Sequence, residues 1–74
     1  MVQTPTEGHI YRDTHSNDLV VCTESPDTFG VPTHEAENMS VWFETVEGDT
    51  RYSIFADNFQ GSYAHVAEST TDLD

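Results

Sequence analysis

The chain has 74 residues, fourteen acidic and two basic (Arg12 and Arg51), no lysine, and a formal net charge of −12. That length is expected to hold one small domain near the lower limit for a self-supporting core, burying only about 60% of the surface its unfolded form exposes. The single cysteine, Cys22, excludes an internal disulfide and the multi-cysteine zinc modules, and two cations weigh against binding to a phosphate backbone.

Residues 1–7 contain Pro5 and little apolar content, and are expected as a flexible leader. His9 to Asp13 and Leu19 to Thr23 are short β-rich runs on either side of the polar cluster Thr14-His15-Ser16-Asn17-Asp18, which predicts a hairpin. Ser25 to Asn38 carries Pro26, Gly30 and Pro32 and reads as a long loop, with Phe29 and Val31 expected to add a short edge pairing. Met39 to Val46 is the strongest strand, because Met39, Val41 and Phe43 alternate with Ser40, Trp42 and Glu44. Glu47-Gly48-Asp49 supplies a tight turn and Arg51 to Phe55 returns antiparallel. Ala56 to Gln60 is a single helical turn closed by Gly61, and Ser62 to Val66 is the last strand. Residues 67–74 are expected as an acidic flexible tail, which leaves 8–66 as the folded domain.

Five short strands, with a long loop after the second and a helical turn before the fifth, predict an all-β fold, a small five-stranded SH3-like barrel. Closing such a sheet removes exposed edges. The alternative is an α+β arrangement, an antiparallel sheet with one helix over Thr33 to Ser40, where Thr33 with Ala36 and Glu37 resembles a helix start. The run Gly8-His9-Ile10-Tyr11-Arg12-Asp13, then Leu19-Val20-Val21, Val41-Trp42-Phe43, Phe59, Tyr63 and Val66, resembles small uncharacterised SH3-like proteins of phages and prokaryotes. The acidic, lysine-free composition is similar to that of proteins from extremely halophilic archaea and their viruses. Both resemblances imply a fold and a milieu, and carry over no catalytic residue.

The acids are interleaved with eight aromatic residues, which disordered acidic chains lack, so the charge reads first as adaptation to concentrated salt. Molar salt shortens the Debye length to about 3 Å and screens carboxylate repulsion. A DNA mimic and an ordinary acidic protein are the other two readings. No stretch approaches the ~20 apolar residues of a membrane span, and Met1 to Gly8 has neither the basic start nor the apolar core of a signal peptide, so a cytoplasmic location is expected.

His9, His15, His34 and His65 show no metal-ligand spacing, although pairing of the first and last strands would make neighbours of His9 and His65. No phosphate loop, nucleophile elbow or calcium-loop spacing is present in the sequence. No metal, no cofactor and no enzymatic activity are expected. The aromatic residues offer a different chemistry. Trp42 has the opposite parity to Val41 and Phe43, which puts it on the outer face, unless it covers a second small cluster with Tyr52 and Ile54. The expectation is a non-enzymatic module, a monomer or homodimer, that recognises a protein partner through Trp42, with Tyr11, Tyr52, Tyr63, Arg12 and Arg51 as further candidates. The alternative is a nucleic-acid-associated regulator, either stacking on single strands or mimicking DNA.

Overall fold

The computed structural model describes residues 2–73, so Met1 and Asp74, the ends of the expected leader and tail, lie outside the described residues. In chain order the elements are β1 (Ile10–Asp13), β2 (Leu19–Glu24), α1 (Thr33–Ala36), β3 (Ser40–Thr45), β4 (Arg51–Phe55), α2 (Ala56–Phe59), β5 (Tyr63–Ala67) and a closing 3₁₀ turn (Thr70–Leu73). The five strands form one antiparallel sheet in the order β4-β3-β2-β1-β5. The succession of elements, with the helical turn between β4 and β5, is the one expected from the sequence, and the architecture is a small antiparallel sheet of five strands with short helical turns.

Alternation decides which residues are inside. Val20 and Cys22 of β2, and Val41 and Phe43 of β3, are buried, while their chain neighbours face outward. Two irregularities curl the sheet. Val66 is an extra residue on β5 between the pairs Ile10↔Ala67 and Tyr11↔His65, and Thr23 is an extra residue on β2 between Cys22↔Phe43 and Glu24↔Trp42. Bulges of this kind raise the local twist, and the first goes with two successive buried residues on β1, Ile10 and Tyr11. At the tight turns glycine supplies the left-handed backbone that an L side chain resists: Gly48 (φ +81°) between β3 and β4, and Gly61 (φ +81°) after α2.

Three expectations are corrected. Phe29 and Val31 form no edge pairing: Val31 N–H bonds to Thr28 O in a turn, and Phe29 is 94% exposed. The alternative helix is present but shorter than Thr33 to Ser40. It is a single turn, α1, whose apolar contribution is the buried Ala36, because Pro32 and the polar residues around it leave no continuous apolar face. The expected boundaries move as well. Val2 belongs to the core cluster, Pro5 is buried, and Thr6 N–H donates to the Tyr11 hydroxyl at 2.9 Å, so residues 2–6 pack onto the barrel. At the other end β5 runs through the buried Ala67, one residue beyond the expected limit, and residues 70–73 form the 3₁₀ turn.

Candidate functional site

Of the six residues singled out in the sequence, three are tyrosines that point into the barrel. Tyr11 is 6% exposed and meets Phe59 edge-to-face at 5.3 Å between ring centroids and Phe43 at 6.2 Å. Tyr63 stacks on Phe43 at 4.8 Å and on Phe59 at 5.7 Å. Tyr52 also packs on Phe43, at 5.9 Å between ring centroids, and its hydroxyl lies 3.0 Å from that of Tyr63. This hydroxyl pair joins β4 to β5, the two strands at opposite ends of the sheet, so side chains bring together what no backbone ladder joins. Burial pushes both phenols above their ordinary pKa; the shared hydrogen bond pushes Tyr63 further up and partly offsets the rise at Tyr52. Tyr52 is thus a closure residue rather than a free contact surface.

Tyr11 and Tyr63 serve a second purpose through the edges they leave uncovered. Together with Phe59 and His65 they line an open groove of about 630 Å³. Gln3, Thr4, Thr28 and Gln60 add amides and hydroxyls to its lining, and no acid and no base other than the imidazole contributes. None of the fourteen acids is among the ten residues that line it, a property it shares with the smaller hollow lined by Ser53, Phe55 and Asn58. The packing of residues 2–6 builds one wall, because the Thr6–Tyr11 hydrogen bond holds that segment beside β1.

His65 is itself positioned. Tyr11 pairs with His65 across β1 and β5, their rings meet edge-on at 5.4 Å, and His65 Nε2 lies 3.0 Å from His9 Nδ1. The two imidazoles therefore converge as strand pairing allows. A direct nitrogen–nitrogen hydrogen bond needs one ring to donate and the other to accept, which fixes complementary tautomers. Among the described residues no group of three or more His, Cys, Asp or Glu is placed to hold a metal ion.

The remaining candidates lie outside. Trp42 is half-buried on the outer face of β3, with the Arg51 guanidinium 5.2 Å from its ring centroid. Arg51 also approaches Glu24 at 3.9 Å, with both side chains largely in solvent. Trp42 does not cover a cluster with Tyr52 and Ile54, because both of those residues pack against the core from the inner face of β4. Its cross-strand neighbours are Ser53 and Glu24. Arg12 is exposed on β1, between Leu19 and Ala64. The six residues are therefore split: Tyr11 and Tyr63 share the groove, Tyr52 meets Tyr63 through its hydroxyl, Trp42 and Arg51 share the outer face, and Arg12 joins neither. The sequence reading missed His65, Phe59 and residues 2–4 as groove-forming. The one available signal was the possible convergence of His9 and His65.

Cys22 lies within the core, 1% exposed, with its thiol directed at Glu24 O (3.6 Å). Burial pushes this thiol up to about 11, with the Glu7 carboxylate adding to the rise. It is a packing residue and not a reactive one. No helix among the described residues is long and apolar enough to cross a membrane. Comparison of the chain with protein-family models, curated proteins and solved structures finds no match.

Proposed function

We propose that the protein is a non-enzymatic β-barrel module that recognises a protein partner, and that an extended, uncharged segment of that partner lies in the groove between residues 2–4 and β5. The observation that carries this reading is the groove's lining: Tyr11, Phe59, Tyr63 and His65 with amide and hydroxyl neighbours, free of carboxylates in a chain of net charge −12. Aromatic rings that are already packed lose little conformational freedom on binding, and the surrounding amides and hydroxyls can pair with a peptide backbone. An acidic lining would select cations. This one selects apolar side chains and backbone amides, contacts that persist in molar salt, where ionic steering fades.

The high-salt setting is part of the same proposal. Its support is compositional: no lysine, fourteen acids, and no charged residue buried among the described residues. Transfer from molar potassium chloride to low salt is expected to lower the melting temperature as carboxylate repulsion is unscreened, and a flat melting temperature would remove the halophilic reading.

The groove is tested by selecting peptides from a random display library in molar potassium chloride and mapping them by amide chemical shifts. Selected peptides are expected to move Gln3, Thr4, Gln60, Gly61 and His65, and Gln60→Arg is expected to weaken them about tenfold, the ~1.4 kcal/mol of a disrupted contact. Shifts confined to Trp42 and Arg51 would relocate the site to the outer face. Displacement of single-stranded oligonucleotides in a gel-shift series, with no peptide selected, would favour the nucleic-acid alternative.

A further inference from the structure

The strand β4 ends the sheet, and its backbone shows which of its groups lack a neighbour. Thr45 N–H donates to Thr50 O, and Ala56 N–H donates to Met39 O. In an antiparallel ladder the bonded pairs alternate, so with this register residues 50, 52, 54 and 56 turn their backbone groups toward β3. Arg51, Ser53 and Phe55 consequently turn theirs to the open edge. The side chains of these three residues are exposed as well, and Phe55 is 53% exposed beside a hollow of about 250 Å³ that it lines with Ser53 and Asn58.

Natural sheets blunt such edges with proline, lysine, inward charges or covering segments. Arg51–Phe55 contains no proline and no acid, and its one charge, Arg51, stands at the start of the strand beside the Trp42 ring. The wider charge distribution points the same way. From Thr50 to Ala67 the only acid is Asp57, while residues 1–49 hold ten. Two copies that each carry −12 approach most easily where carboxylates are few; this segment holds one, and the neighbouring Glu24 carboxylate lies against the Arg51 cation. Self-pairing of β4 is also chemically complementary. An antiparallel two-fold through Ser53 sets Ser53 against Ser53 of the partner subunit and Arg51 against Phe55 of the partner subunit. Arg51, already over the Trp42 ring, then has a second aromatic face beside it, and no like charges stand opposite each other.

We propose that the open edge of β4 pairs with the same edge of a second copy, antiparallel about Ser53, to give a homodimer with one continuous sheet. The pairing is isologous and uses no residue that lines the groove, so it stands or falls independently of the peptide reading.

Light scattering coupled to size exclusion, run on the full chain in molar potassium chloride, tests this directly. The expected mass is twice 8.3 kDa at high protein concentration, and Phe55→Ser is expected to lower the association constant about tenfold. Ser53→Pro removes an N–H that faces the edge and not β3, so it is expected to give a monomer that keeps its far-ultraviolet circular dichroism. As a second variant that needs no such tolerance, Ser53→Cys in a Cys22→Ala background is expected to form a disulfide-linked dimer under mild oxidation, because directly paired residues lie about 5.5 Å apart at Cα. A mass of 8.3 kDa at millimolar concentration would overturn the proposal, as would a dimer that survives Ser53→Pro or a folded Ser53→Cys variant that does not crosslink.

Discussion

Phe43 and Trp42 are adjacent in the chain and sit on the same strand, yet they belong to different physical regimes. Phe43 is 0% exposed and is contacted by the rings of Tyr11, Tyr52, Phe59 and Tyr63. Trp42, one residue away on the opposite face, has a single cation over its ring. The inner cluster holds the barrel shut and shapes the groove floor. The outer pair rests on a sheet already formed. What separates them is strand parity, since hydrophobicity alone would rank the two side chains together. The largest test of the contrast is truncation. Phe43→Ala is expected to cost about 3–5 kcal/mol, comparable to the whole stability of a domain this size, and to leave the chain unfolded in urea titrations at low denaturant. A folded Phe43→Ala with near-native stability would show that the aromatic cluster is not what closes the barrel.

The inner region should also respond to alkali where the outer region does not. The Cys22 thiol rises from 9.0 to about 11 in the folded protein, so between those values the unfolded chain has released a proton that the folded chain retains. Stability is therefore complete below about pH 9 and falls as pH rises through 11, by a total of order 3 kcal/mol at about 1.4 kcal/mol per unit. The buried phenols of Tyr52 and Tyr63, shifted in the same direction, extend the decline above the ordinary tyrosine pKa of about 10. Thermal melts from pH 8 to 11 on wild type and Cys22→Ala separate the contributions, since the variant should lose the first limb and keep the second. An identical decline in both proteins would remove Cys22 from the linkage.

The strands, the helical turn and the outward parity of Trp42 were legible in the sequence because each depends on local pattern: alternation in Met39 to Val46, turn chemistry at Gly48, a helical turn ahead of Gly61. The groove was not, because its walls come from distant segments. Val2 and Gln3 carry no periodicity, and what places them is a contact between Thr6 and Tyr11 together with the vacancy that Val2 fills in the core. Tyr52 and Tyr63 illustrate the same limit. Each looked like a surface candidate by residue type, but sequence separation hides that the curl of the sheet brings β4 and β5 together. Their hydroxyl pair gives a third prediction. In a double-mutant cycle with Tyr52→Phe and Tyr63→Phe, the coupling energy is expected to be about 1 kcal/mol, because each single change leaves the other hydroxyl half-buried without its partner. Additive losses would mean that the two hydroxyls do not support each other.

The smallest effect belongs to the outer pair and sharpens the contrast most. Trp42→Ala is expected to cost well under the Phe43 value, because one face of the sheet loses a half-buried ring and no cavity opens in the core. The Arg51–Trp42 contact itself should appear as a coupling of about 0.5–1 kcal/mol in a cycle with Arg51→Gln and Trp42→Phe, the range for a cation over an exposed aromatic ring. The Glu24 carboxylate, 3.9 Å from Arg51 in solvent, should add a coupling at the low end of surface ion pairs and lose it as salt rises. Measuring both couplings across a potassium chloride series distinguishes ring from carboxylate. The cation–ring contact, at 5.2 Å and over a half-buried indole, is screened less by molar salt than an exposed ion pair, so the Trp42 coupling should outlast that of Glu24. If both vanish together, Arg51 is held by charge alone, and the outer face loses the stacked cation that the second-copy interface would use.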